Sequence, residues 1–94
     1  MANTKSAMKR IRSSERKRQR NLQFRARART LTKRTWRLIE AERLEEAQTM
    51  AELAIKALDK ASVKGIIHKN NAARRKSRLM KRLNQALRAQ QATQ

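Results

Sequence analysis

The chain has 94 residues, with 26 Lys+Arg against seven Asp+Glu and a formal net charge of +19. It contains no Cys and no Pro, one Gly, no Tyr, one Phe and one Trp, which excludes a disulfide framework and a thiolate zinc site. Few residues remain to build strands and hairpin turns, whereas the strong helix formers Ala, Leu, Arg, Lys, Gln and Glu dominate, so the composition predicts helices.

The charge is unevenly placed. Residues 1–39 hold 14 Lys+Arg and one acid, residues 40–60 hold three Lys+Arg and six acids, and residues 61–94 hold nine Lys+Arg and no acid. Two basic arms thus flank an acidic middle segment. A compact chain this small repels itself at such a charge, so a polyanion is the expected partner and nucleic acid the first candidate. No apolar run is long enough to span a bilayer, and no apolar stretch follows the basic N-terminus as in a signal peptide. The expected compartment is the cytoplasm or an equivalent interior.

The expected fold class is all-α: an antiparallel three-helix bundle with a long, overhanging first helix, forming a single domain over residues 1–94. In the first helix, about 5–41, the core stripe is Phe24, Ala28, Leu31, Thr35, Leu38 and Ile39, with Trp36 at its edge. Counting back from Leu38 in sevens gives Leu31, Phe24, Lys17 and Arg10, so the stripe turns basic before Phe24. Met8, Ile11 and Leu22 lie on another side. The N-terminal half is therefore expected to overhang the bundle, frayed in isolation and ordered on its ligand. Its bases are read as surrounding the helix, which suits a groove between phosphate backbones. Lys5, Lys9, Arg10, Arg12, Arg16, Lys17, Arg18, Arg20, Arg25, Arg27, Arg29, Lys33 and Arg34 are the candidate phosphate contacts here.

The second helix, about 44–62, carries the stripe Leu44, Ala47, Ala51, Ala54, Leu58 and Ala61, joined by Met50 and Ile55. Glu45, Glu52 and Asp59 mark the opposite face, and Glu52 is spaced to pair with Lys56. Gly65 closes the helix in a left-handed conformation, with Ile66 as the accompanying apolar contact.

The third helix, about 67–90, has the stripe Ala72, Leu79, Met80, Leu83, Ala86 and Leu87. Arg74, Arg78, Lys81, Arg82 and Arg88 fall on the side away from Leu79 and Leu83, and no acid interleaves with them. Ahead of this stripe, Lys64, His68, Lys69, Asn70 and Asn71 cluster where free backbone N–H groups attract phosphate. One of Asn70 and His68 is also the natural cap of the helix. With Arg74, Arg75, Arg78, Lys81 and Arg82 they complete the candidate RNA-binding set.

Catalysis is not expected. One His, surface carboxylates and no Cys give neither a nucleophile–base pair nor a ligand set, so no metal, cofactor or small-molecule substrate is predicted. With both aromatics on or beside the core stripe, stacking platforms are absent. Phosphates, sugars and shape must then carry recognition, as is usual for folded RNA.

Lys5-Ser6-Ala7 followed by Lys9-Arg10, and further on His68-Lys69-Asn70, Ala72-Ala73-Arg74 and Lys76-Ser77-Arg78-Leu79, resemble the opening and most distinctive segments of a known family. This is the bacterial and plastid small-subunit ribosomal protein S-twenty family, and the similarity covers nearly the whole chain. The resemblance implies a three-helix bundle with a long first helix. It also implies direct, early binding to 16S-type ribosomal RNA, in the 5′ domain and near the long penultimate helix, with other small-subunit proteins as neighbours. Ribosomes of the cytoplasm, or of the plastid stroma, are the implied location. Many relatives have Gly at the first turn, where this chain has Ala41-Glu42-Arg43.

The alternative reading is a sequence-nonspecific, architectural DNA-binding protein. A bZIP arrangement would need more apolar heptads than end by Leu38, and no Pro wedge is present. A cationic membrane-surface helix would want interfacial aromatics that are missing.

Overall fold

The computed structural model describes residues 4–92, and all three predicted helices are present: α1 Lys5–Glu40, α2 Leu44–Val63 and α3 Lys69–Ala92. Among the described residues there is no strand. The connections are short, and cross-contacts fix the directions. Phe24 of α1 meets Lys60 and Lys64 near the end of α2, and Asp59 of α2 meets Lys76 of α3. Each helix therefore runs antiparallel to the one before it. At 1.5 Å per residue, α1 is roughly 54 Å long, against roughly 30 Å for α2. The molecule measures 70 × 22 × 15 Å.

The core is built on α2. Ala47, Ala51, Ala54, Ala57, Leu58 and Ala61 are buried along it, and the small alanines let its neighbours approach closely. α1 contributes Ala28, Leu31 and Ile39, while α3 contributes Leu79 and Leu83. α3 packs mainly on α2 and touches α1 least. Thr35 is the one buried polar side chain among the described residues. Its hydroxyl donates to the Leu31 carbonyl at 2.8 Å, so nothing polar is stranded.

Several expectations need correction. Phe24 is only half-buried and stands outside the core cluster, because the bundle ends near it and two lysines cover its ring. Met80 is 37% exposed, since Leu79 and Leu83 already fill the contact with α2. Ala57, not anticipated, is buried. Asp59 does not lie on the far face: it pairs with Lys76 across to α3. α3 begins at Lys69 rather than near 67, because Ile66 is buried and Ile67 packs against the core before the helix starts.

Both helix closures use the same hydrogen-bond pattern. After α2, Gly65 (φ 74°) donates to Ser62 O and Ile66 donates to Ala61 O. After α1, Glu42 (φ 61°) donates to Ile39 O and Arg43 donates to Leu38 O. This six-to-one and five-to-two pairing defines a Schellman closure, whose left-handed residue is usually Gly. Here a glutamate takes that conformation in the first turn. The overhang is helical in the structure. Thr4 caps α1 by accepting from Ala7 N–H, and Glu15 accepts from Gln19 and pairs with Arg18 one turn on.

Glu42→Gly should therefore stabilise the protein by about 0.5–1 kcal/mol, the left-handed penalty less the entropy that glycine adds to the unfolded chain. Gly65→Ala should destabilise it by a similar amount, since the added Cβ meets nothing within 4 Å and only the φ of 74° opposes it. Paired thermal melts read both, and equal melting temperatures would contradict the shared closure. Leu83→Ala, at a site 3% exposed, should cost about 2–5 kcal/mol.

Candidate nucleic-acid interface

Residues 8–20 of α1 are exposed throughout, because α2 is too short to reach them. The bases of α1 surround the helix, with one row denser than the rest. On a continuous helix Lys5, Lys9, Arg12, Arg16, Arg20, Arg27 and Arg34 recur at spacings of three, four and seven and form one row. Met8, Ile11 and Leu22, at 46%, 61% and 47% exposure, occupy another side together with Glu15 and Arg18. Arg10 and Lys17 continue the line of the core stripe, and Arg29 and Lys33 lie on the same side as Ile11 and Glu15. All of these bases are exposed.

Arg25 is placed differently. Its guanidinium donates to the Ile66 carbonyl at 3.0 Å, tying α1 to the turn after α2. The contact sits where α1 leaves the bundle. The residue as a whole is exposed and a guanidinium has five donors, so it can hold the turn and still meet an anion.

At the start of α3, His68 is the cap. Its carbonyl accepts from Ala72 N–H at 3.0 Å and its Nδ1 accepts from Asn70 N–H at 3.1 Å. Nδ1 is thus unprotonated in this arrangement and the outer Nε2 is left to donate. Lys69 and Asn70 are exposed beside it. Asn71 is half-buried, and its side-chain oxygen accepts from Arg75 Nε at 3.0 Å, which holds that guanidinium against the helix. Arg74, Arg78, Lys81 and Arg82 are exposed on the face away from Leu79 and Leu83. Lys76, in the same run, is turned inward to Asp59.

Lys64 stands over the Phe24 ring, 5.1 Å from its centroid. Lys60, absent from the sequence-derived set, joins it at 5.8 Å. The four-residue spacing of these lysines was the signal available in the sequence. The expected Glu52–Lys56 pair is not among the ion pairs of the described residues. Among those residues there is also no group of three or more His, Cys, Asp or Glu able to hold a metal ion.

This arrangement is two basic surfaces on a small bundle. The family model described as ribosomal protein S20 matches residues 2–84. The chain belongs to the ribosomal protein S20 family. Similar proteins include the small ribosomal subunit protein bS20 of Thermomicrobium roseum, 55% identical over 89 residues that cover 95% of this chain and 90% of that one. The bS20 of Dictyoglomus thermophilum is 51% identical, covering 95% and 96% of the two chains. That of Dehalococcoides mccartyi is 50% identical, covering 92% and 98%. In this S20-family chain the first helix runs for 36 residues, and a glutamate takes the left-handed position of its first turn.

Lys69→Ala and Arg74→Ala should weaken RNA binding with helicity unchanged, because both side chains are exposed. Lys76→Ala should instead lower the melting temperature slightly and leave affinity nearly as it was, because its charge is spent on Asp59. Circular dichroism and RNA titration on the three variants read this out. A Lys76→Ala protein that binds worst of the three would reverse the assignment of faces.

Proposed function

We infer that the chain is a structural protein of the small (30S) ribosomal subunit that binds 16S-type RNA directly and stabilises its fold during assembly. The observation that carries this reading is the separation of charge from core. The bases of the α1 overhang and of the outer face of α3 are exposed, while the apolar residues close a bundle that does not need them. Each surface is long and lacks a concave pocket with convergent catalytic groups, so it suits a polyanion rather than a small substrate. The proposed contacts are the α1 bases from Lys5 to Arg34, the cluster Lys64 to Asn71, and Arg74, Arg75, Arg78, Lys81 and Arg82. The RNA regions we assign to them are the 5′ domain and the long penultimate helix. The chain is read as non-catalytic and as residing on cytoplasmic ribosomes. Among the described residues no helix is long and apolar enough to cross a membrane.

Architectural DNA binding is the competing reading. An RNA-binding surface of this kind discriminates by A-form shape and 2′-hydroxyls, so structured ribosomal RNA should bind more tightly than duplex DNA at matched salt. Roughly six to ten phosphate contacts would weaken binding by about 10³–10⁵ between 50 and 200 mM salt. A shallow salt dependence, or equal affinity for duplex DNA, would sink the ribosomal reading. Deleting residues 1–20 should cut affinity and flatten the slope while leaving the melting temperature nearly unchanged, since none of the described residues among them is buried.

A further inference from the structure

Phe24 sits where α1 parts from α2. Lys60 and Lys64, one turn apart on α2, hold their ammonium groups 5.8 and 5.1 Å from the centroid of its ring. The negative face of the ring attracts both cations, but the two repel each other. No carboxylate lies within ion-pair distance of either among the described residues, and the neighbouring Asp59 is engaged by Lys76. Beside the ring opens a groove of about 170 Å³ lined by Phe24, Leu53, Ala57, Arg27, Lys56 and Lys60. Its polar lining is wholly cationic and comes from both helices. A bound anion would relieve the repulsion between the lysines and neutralise the groove at the same time.

We propose that Lys56, Lys60 and Lys64 of α2 and Arg27 of α1 form a phosphate clamp for the RNA backbone, with Phe24 positioning two of the lysines. This rests on the RNA-binding reading and extends it to α2, the acid-rich helix, which charge counting sets aside. Of the acids of α2, Glu52 lies one turn before Lys56 but forms no ion pair with it among the described residues, and Asp59 is engaged by Lys76. Glu45 and Glu46 lie in the first turn, at the far end of the helix, and Glu46 pairs with Arg43.

The test is a titration of a small-subunit ribosomal RNA transcript over a salt series with the full chain. The double variant Lys56→Ala/Lys60→Ala should bind severalfold more weakly and lose about 0.7–0.9 of salt slope per phosphate contact removed. Phe24→Leu keeps the charge and most of the apolar volume but removes the π face. It should bind about 2–5-fold more weakly, and Phe24→Tyr should restore binding, with similar melting temperatures for the two. Lys60→Gln, which keeps the stem of the side chain, gives the same readout if the double variant melts early. A steep slope in the parent that the double variant leaves untouched overturns the clamp alone. Equal affinity of Phe24→Leu and Phe24→Tyr overturns the role of the ring. A shallow slope in the parent overturns the RNA reading and the clamp with it.

Discussion

The alanine seam of α2 is the contact on which the fold depends. Ala47, Ala51, Ala54, Ala57 and Ala61 are all buried, and the other two helices pack against this one helix. Side chains this small bury little area each. Their contribution is close approach, which lets Leu31 and Ile39 from α1, and Leu79 and Leu83 from α3, pack around Leu58. A bulkier residue in the seam would push a neighbouring helix away and separate apolar groups across the whole length of the contact. A 94-residue chain has a thin core and little capacity to absorb such strain.

The seam also sets where charge can go. The helix that carries it, α2, is 20 residues long in a chain whose first helix has 36, so the extra turns of α1 project beyond all packing. Repulsion among bases that would destabilise a compact fold is spread along a rod instead. The cost falls on a segment with no tertiary contacts, held by Thr4 at its start and tied near its root by Arg25 to the Ile66 carbonyl. The function proposed for the overhang and the simplicity of the core thus share one cause, the mismatch of helix lengths.

The two turns solve one geometric problem with different residues. Each must reverse the chain within a few residues and satisfy the last carbonyls of a helix, and each does so through a left-handed position, followed by Ile66 in one turn and by Arg43 and then Leu44 in the other. Gly65 has no Cβ to oppose this. Glu42 does, and the buried Leu44 two residues later fixes the chain path that the strained residue must follow.

Amino-acid order alone determined the number of helices, the antiparallel arrangement, the seam of α2 and the overhang of α1. All of these follow from apolar spacing, charge spacing and relative length, which are local or additive along the chain. The order also marked the basic residues that prove exposed, because a charged side chain without a partner goes to water wherever the fold allows. Tertiary structure decided the rest. Phe24 fits the apolar spacing of α1 as well as Leu31 does, but only the point at which α2 ends makes it a lysine-covered edge rather than core. Lys76 and Arg75 are adjacent bases of like composition. One turns to Asp59 on another helix and the other to Asn71 on its own, and only the packing of α3 on α2 distinguishes them. The resemblance marked the first turn as a glycine position, but not which residue here takes the left-handed conformation: no local preference selects it for glutamate, and the reversal that brings α2 back onto α1 imposes it on Glu42.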